Sequence, residues 1–335
     1  MKIKPLRASK VKDKTKRIPS GVFSFDVLTG GGLPENKITI FWGSKSSGKT
    51  TMALKIIGNY LQMFKDKEVL YVDLEDSFDK EWASRFIEDE DFDRVLLIRP
   101  LYAEEAIDAM VDILNSDEYN IGFLMIDSLA NMVPIADFEK SASEDTVGMQ
   151  ARVINKMIRK LLPIKSAMNK EGKTLTCIFI NQVRSKIGAR AFTPDSTKPG
   201  GHYQDFVAHM IIRFYAVENV TKGDVTIKVK HQFKIEKAKV NNAIQGRKGA
   251  FSLVLVDHEG MEIGQTDDYN IILNSAKKFK VLERIGNKWK FNENVFTTQA
   301  DVLTRMREDI KFYVELYETT MNKMITDVIP GGEND

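Results

Sequence analysis

The chain has 335 residues, 43% hydrophobic and 29% charged, with 49 Lys/Arg against 47 Asp/Glu and so a net charge of +2. At about 150 residues per domain, this allows one large folded unit, or a large and a small one, with core enough to need no covalent staples. Its single cysteine, Cys177, excludes a disulfide scaffold and a cysteine-ligated zinc site, and fits a reducing compartment.

Residues 1–17 hold eight Lys/Arg against one Asp and read as a basic, extended segment. Turn signals follow at Pro19-Ser20-Gly21 and at Gly30-Gly31-Gly32-Leu33-Pro34. Residues 38–42 read as a buried strand, and 50–64 as a helix, with apolar residues at 53, 54, 57, 61 and 64. Further strands are predicted at 69–74, 95–98, 123–126 and 176–180, and helices at 78–87, 103–114 and 148–168. Alternating helices and near-continuously apolar strands predict an α/β fold whose largely parallel sheet is covered on both faces. After about residue 207 the rhythm changes. Strands at 210–217, 225–230, 232–238 and 250–256, joined by short turns, should extend the same sheet in antiparallel fashion. The core is thus expected over 18–257. A small α+β unit over 258–335 follows, with a helical stretch near 298–327.

Charge is segregated along the chain. Residues 73–93 carry ten acids against two bases, 222–248 eight bases against two acids, and 277–290 six bases against one acid. Each run is either a binding surface or a solvated face. The histidines His202, His209, His231 and His258 have no metal-ligand spacing. No apolar run reaches the ~18 residues of a membrane span, and the polar N-terminus lacks signal-peptide character. The expectation is a cytoplasmic protein with no membrane contact.

The strongest local signal is Gly43-Ser44-Lys45-Ser46-Ser47-Gly48-Lys49-Thr50, a G-x-x-x-x-G-K-[ST] loop set between a predicted strand and a predicted amphipathic helix. The glycines let successive N–H groups face phosphates, and the helix N-terminus adds partial positive charge. Lys49 would reach the β- and γ-phosphates, and the Thr50 hydroxyl would face Mg²⁺. Phe123-Leu124-Met125-Ile126-Asp127-Ser128, an apolar strand ending in Asp, fits a second metal-orienting carboxylate at Asp127. Glu75, just past the strand 69–74, has the position of a water-polarising base. By spacing alone, a solvated acid in an acidic stretch is the better fit.

Several linked motifs resemble the RecA-type strand-exchange recombinases, phage-encoded ones among them, from about residue 17 to about 290. They are Ile18-Pro19-Ser20-Gly21 with Gly31-Gly32-Leu33-Pro34, the loop Ser46-Ser47-Gly48-Lys49-Thr50-Thr51, Asp73-Leu74-Glu75, Ile126-Asp127-Ser128 and Phe179-Ile180-Asn181-Gln182-Val183-Arg184-Ser185-Lys186-Ile187-Gly188. The last is the most diagnostic.

The resemblance implies ATP and Mg²⁺ as cofactors, Glu75 as catalytic base and Gln182 as the amide that senses the γ-phosphate. It implies Asp79 on the adenine amino group and Trp82 stacked on the base. Lys237 and Lys239 would reach the γ-phosphate of a neighbouring subunit in a helical filament. It also implies a single-stranded DNA loop over 184–201, with Arg184, Lys186, Ile187, Gly188, Gly200 and Gly201, whose basic and Gly-rich make-up suits a phosphate backbone. A second DNA element would carry Val147, Arg152 and Arg159, with Val147 and Ile187 wedged between bases. Double-stranded DNA would be gathered by Lys277, Lys278, Lys280, Arg284, Lys288 and Lys290.

Two departures from the family pattern stand out. Only about 17 residues precede the core, so residues 2–6, with Ile3 and Leu6, would have to serve as the docking strand between subunits. Asp205 takes a place beside Phe206 where the family commonly has a base. The alternatives are a hexameric RecA-fold DNA motor, and an ATP-gated DNA-binding scaffold with little turnover. The lysine pair and the 179–188 run argue against the first, and Lys49, Glu75 and Asp127 against the second.

Overall fold

The computed structural model describes residues 16–138, 148–185, 196–239 and 245–328. Among them, eight strands form one sheet: β1 (Ile38–Gly43), β2 (Glu68–Asp73), β3 (Val95–Ile98), β4 (Ile121–Asp127), β5 (Thr176–Gln182), β6 (Met210–Lys222), β7 (Val225–Ala238) and β8 (Lys248–Val254), in the spatial order β8-β7-β6-β1-β5-β4-β2-β3. Strands β1 to β5 run parallel, and β6 pairs parallel with β1. Strands β7 and β8 then continue antiparallel.

Side-chain alternation in the central strands sorts the core into two layers. Phe41, Phe123, Met125, Ile178 and Ile180 point to one face and pack with Met52, Ile56, Ile57 and Tyr60 of α2 (Lys49–Met63). Ile38, Ile40, Leu124, Ile126, Cys177 and Phe179 point to the other face. They pack with Ile107 and Met110 of α3 (Ala103–Asn115) and with Ile154, Met157 and Leu161 of α4 (Met149–Lys170). Strands covered on both faces are apolar at most positions, which is why β1, β4 and β5 read as near-continuous apolar runs.

Three predicted elements differ. The helix expected at 78–87 is a single turn, Lys80–Ala83. Beyond it the amides of Arg85 and Phe86 bond three residues back, to Trp82 O and Ala83 O, so the chain tightens into turns while Ala83 and Ile87 still reach the core. The two strands expected at 225–230 and 232–238 are one, because His231 is buried and pairs in register with Ala216. The helical stretch near 298–327 is two helices, Gln299–Glu308 and Ile310–Val328, separated at Asp309.

A third apolar cluster gathers the C-terminal elements: Ile272, Leu273, Phe291, Val302, Met306, Phe312 and Leu316. Phe23 and Val27 of the early helix α1 (Phe23–Thr29) belong to it. The Phe23 ring packs edge-on against Tyr317 at 5.2 Å, and the Phe23 amide donates to Asp268 Oδ2 at 2.7 Å. Asp26, fully buried, accepts from the Ser20 amide and hydroxyl at 2.8 Å each and from the Tyr317 hydroxyl at 2.8 Å. Burial pushes the Asp26 carboxyl up to about 6, and its hydrogen bonds hold it from going higher.

This predicts a pH-dependent cost for Tyr317→Phe. The Tyr317 hydroxyl favours the ionised form of Asp26, so its loss matters where that form is populated, above a pH of about 6. A hydrogen bond to a charged group is worth about 1.5–3 kcal/mol. The variant should lose roughly that much stability at pH 8 and clearly less at pH 5, as denaturant melts at the two pH values would read. Equal losses would mean that the Asp26 charge is not involved.

Candidate nucleotide and DNA site

The parallel strands bring their C-terminal ends to one edge, and the predicted phosphate site lies there. The loop Gly43 to Thr50 leaves β1 and enters α2. Gly43 pairs with Phe214, and a Cβ on it would lie 2.1 Å from the Phe214 carbonyl oxygen. Gly48 has a left-handed φ of 86°, and a Cβ there would come within 3.2 Å of the His231 ring. Ser44, Lys45 and Ser46 are exposed at the loop tip, while Ser47 is buried.

Lys49 folds back onto the loop, donating to Ser44 O at 2.7 Å. Burial lowers its pKa, opposed by the charges of Asp127 and Glu75. The Thr50 hydroxyl donates to Asp127 Oδ2 at 2.8 Å. Asp127 is 2% exposed, and burial pushes its carboxyl up to about 6 against the pull of Thr50 and Lys49. Two hard oxygens side by side fit Mg²⁺, which usually takes one or two protein ligands and completes its shell with phosphate and water. Among the described residues no cluster of three or more His, Cys, Asp or Glu could hold a metal.

Glu75 follows β2 in a turn organised by Asp73. That buried carboxylate accepts from the amides of Glu75 at 3.2 Å, Ser77 at 3.0 Å and Phe78 at 3.0 Å. Glu75 Oε1 accepts from Gln182 Nε2 at 2.5 Å and from the Ser128 hydroxyl. The candidate base, the residue after Asp127 and the candidate sensor amide are therefore in one hydrogen-bonded group. Trp82 Nε1 donates to Thr51 Oγ1 at 3.3 Å, which places the indole beside the start of α2. Asp79 caps the Lys80–Ala83 turn by accepting from the Trp82 amide at 3.1 Å.

The segment expected to bind DNA, 184–201, has its two ends joined by pairing of Arg184 with Thr197 and of Ser185 with Ser196. Buried Asn181 donates to Pro199 O at 2.9 Å and to Gln204 Oε1 at 3.2 Å, and Gln204 donates to Pro199 O at 2.5 Å. Gly200 and Gly201 lie beside Ile154 and Ala151 of α4, and Arg159 of the same helix stands 5.6 Å from the centroid of the Tyr203 ring. Arg152 and Arg159 line a groove of about 390 Å³ with Asn155, Lys156 and Lys160. Val147, Lys186, Ile187 and Gly188 lie outside the described residues.

Lys237 donates to the Asp205 carbonyl and Lys239 to the Phe206 carbonyl at 2.6 Å. Both carbonyls belong to the turn Tyr203–Val207, where Phe206 is 73% exposed. Among the described residues, neither lysine bonds to the phosphate loop of its own chain.

Sequence reasoning missed several of these residues. Asp73 and Asn181 stand in motifs that give neither of them a role of its own. Gln204 carried no signal. His231, whose spacing in the sequence bears only on metal binding, lies under Gly48 with its ring tilted against Phe251 at 5.1 Å, and burial lowers its imidazole to about 4. It is thus a neutral floor for the loop at ordinary pH.

The RecA N-terminal domain family model matches residues 2–257. The chain belongs to the RecA family. Protein RecA of Oceanobacillus iheyensis is 29% identical over 315 residues, 92% of this chain and 87% of that protein. Protein RecA of Thermosynechococcus vestitus is 30% identical over 304 residues, covering 90% and 80%. Protein RecA of Aquifex pyrophilus is 33% identical over 222 residues, so the match spans 66% of this chain and 60% of that relative's length. Among the described residues no helix is long and apolar enough to cross a membrane.

Gly48→Ala is expected to weaken ATP binding roughly tenfold, since a left-handed conformation costs an L-residue about 1–2 kcal/mol. Titration with a fluorescent ATP analogue in Mg²⁺ buffer checks this. Adding His231→Ala relieves the ring contact but not the φ penalty, so recovery should be partial. Full recovery would assign the effect to the ring alone.

Proposed function

We propose that this chain is an ATP-dependent DNA recombinase. It assembles as a helical filament on single-stranded DNA, takes up duplex and exchanges strands, with DNA-dependent hydrolysis of ATP. The observation that supports this best is the 2.5 Å bond from Gln182 to Glu75. Gln182 ends β5 and leads directly into the DNA loop, so the candidate base and the loop share one contact. A γ-phosphate arriving between them would draw the Gln182 amide to itself and move the loop with it.

The chemistry follows from the residues present. The backbone N–H groups of Ser44 to Thr50 cradle the phosphates, and Lys49 exchanges the Ser44 carbonyl for β- and γ-phosphate oxygens. Thr50 and Asp127 would hold Mg²⁺, which when bound neutralises phosphate charge. Water attacks the γ-phosphorus, the bond to the β-phosphate oxygen breaks, and Glu75 takes the water proton. Asp79 and Trp82 would contact the adenine. Lys237 and Lys239 would act on the neighbouring subunit's nucleotide, as arginine fingers do in other NTPases. Their bonds to a turn bearing an exposed Phe206, away from their own phosphate loop, support action across an interface. Arg152, Arg159, Arg184 and Lys186 would contact the phosphates of the single strand, with Gly188, Gly200 and Gly201 shaping the loop. Val147 and Ile187 would separate base groups. The basic C-terminal elements, where Lys277 and Arg284 stand against Trp289, would collect duplex.

Electron microscopy with single-stranded DNA and a non-hydrolysable ATP analogue tests the assembly. Open helices are expected, and closed rings would favour a motor. Glu75→Gln should lower turnover at least ~100-fold while ATP-dependent DNA binding persists. Unchanged turnover would remove Glu75 from the mechanism.

The lysine pair has its own test. Mixing a Lys237→Ala/Lys239→Ala protein with a Lys49→Ala protein should restore some activity, because some mixed interfaces would carry one good face from each partner. A mixture no more active than its components would place the lysines inside their own subunit, or outside the mechanism.

A further inference from the structure

Trp42 is the last apolar residue of β1, directly before Gly43 of the phosphate loop, and it is 6% exposed. A buried indole N–H needs an acceptor. Here Nε1 donates to Glu236 Oε2 at 2.8 Å, and Glu236 directly precedes Lys237 on β7. Two cations stand against the indole ring, Arg213 at 4.5 Å and Lys198 at 5.1 Å from its centroid. Lys198 comes from the far stem of the DNA loop. Its side chain is 13% exposed and pairs with Asp205 Oδ1 at 2.8 Å, and the Asp205 carbonyl in turn accepts from Lys237. A lysine so placed is poorly disposed to neutralise a DNA phosphate, although its position in a basic loop suggests that role. One rigid ring therefore touches three regions at once: the strand entering the phosphate loop, the stem of the DNA loop, and the strand end that bears the lysine pair.

We propose that Trp42 is a positioning residue that holds the DNA-loop stem, through Lys198, and the lysine-bearing end of β7, through Glu236, in register with the phosphate loop. Displacing either partner breaks a cation–π contact or a hydrogen bond on the shared ring, so nucleotide occupancy and the DNA-binding form of the loop are favoured together. This rests on the recombinase reading, but it concerns residues to which that reading gives no role.

The test compares single-stranded DNA affinity with and without a non-hydrolysable ATP analogue, across a salt series. The ratio of the two affinities measures the coupling. Trp42→Phe, which keeps an aromatic ring but loses the N–H and part of the cation–π attraction, should lower that ratio roughly tenfold. Glu236→Gln should stay near wild type, because its amide oxygen still accepts from Nε1. Glu236→Leu should lose as much as Trp42→Phe, a contrast that simple packing at this half-buried site would not give.

Lys198→Met should lower the ratio with an unchanged salt slope, and the double variant Trp42→Phe/Lys198→Met should be no worse than the poorer single. A wild-type ratio in Trp42→Phe would overturn the proposal. So would a salt slope reduced by about 0.7 in Lys198→Met with additive losses, the signature of a direct phosphate contact. If Trp42→Phe fails to fold, the Glu236→Gln and Glu236→Leu pair decides alone: equal ratios overturn the proposal. Wild-type protein whose DNA affinity ignores the analogue would instead sink the recombinase reading, and this inference with it.

Discussion

Everything at the candidate site depends on the register of four parallel strands that end at one edge of the sheet. Asp73 pairs with Asp127 across β2 and β4, and Gly43 with Gln182 across β1 and β5. Because side chains alternate along a strand, a slip of one residue would turn Asp127 out of the site and Ile126 into it. The register is fixed from inside the fold: Ile126 and Phe179 lie opposite each other and are locked into the core layer with α3 and α4. Hydrophobic packing thus sets where the polar groups meet. Those groups are costly when alone. Lys49 and Asp127 are both nearly buried, and burial pushes each towards its neutral form, with the other's charge opposing it. A pair taken from water this way is weak evidence of stability. It is better understood as a site whose electrostatics a polyanionic nucleotide and its metal would complete.

How much of this was legible in the sequence follows from how local each signal is. The phosphate loop and Asp127 were readable because a contiguous motif, a strand before it and a helix after it fix their geometry. Glu75 was not separable from Asp73, Asp76 and Asp79 by spacing, because its identity comes from a turn whose amides are gathered by the buried Asp73 carboxylate. That arrangement exists only once β2 has packed. The tie of Asn181 and Gln204 to Pro199 is likewise a tertiary contact between segments whose composition announces nothing. Residues 78–87 misled for the opposite reason. Apolar residues at helical spacing do reach the core there, but only one turn forms a regular helix before the amides of Arg85 and Phe86 shift to bonds three residues back.

The lysine pair illustrates how one acid changes the meaning of its neighbours. The Asp205 carboxylate holds Lys198 while its carbonyl takes Lys237. Burial and the nearby Lys239 both lower the pKa of Lys237, while Asp205 opposes them. In the separate subunit this basic cluster is partly satisfied from within. Any surface that draws Lys237 and Lys239 away must offer more than two backbone carbonyls. The phosphates of a bound nucleotide do so, whereas a neutral protein face would not.

The same reasoning extends to how the C-terminal elements are attached. α1 precedes the phosphate loop in the chain, yet Phe23 and Val27 are buried in the C-terminal cluster. Behind α1, Asp26 and Asp268 are both buried and both raised to about 6, and burial lowers the pKa of Lys55 against the opposing charges of the two carboxylates. Lys55 belongs to α2, the helix that opens at Lys49. Lys55 donates to Gly264 O at 3.4 Å, so the segment that leads into the C-terminal elements is tied to α2 by a polar contact, while α1 is tied to those elements by hydrogen bonds as well as apolar packing. A purely apolar joint would tolerate sliding, since dispersion contacts are individually small and easily exchanged. The hydrogen-bonded carboxylates do not tolerate it, because a shift that parted Tyr317 from Asp26 or Phe23 from Asp268 would leave a buried acceptor without its donor. If the C-terminal surface gathers duplex, its position relative to the nucleotide is set by these bonds.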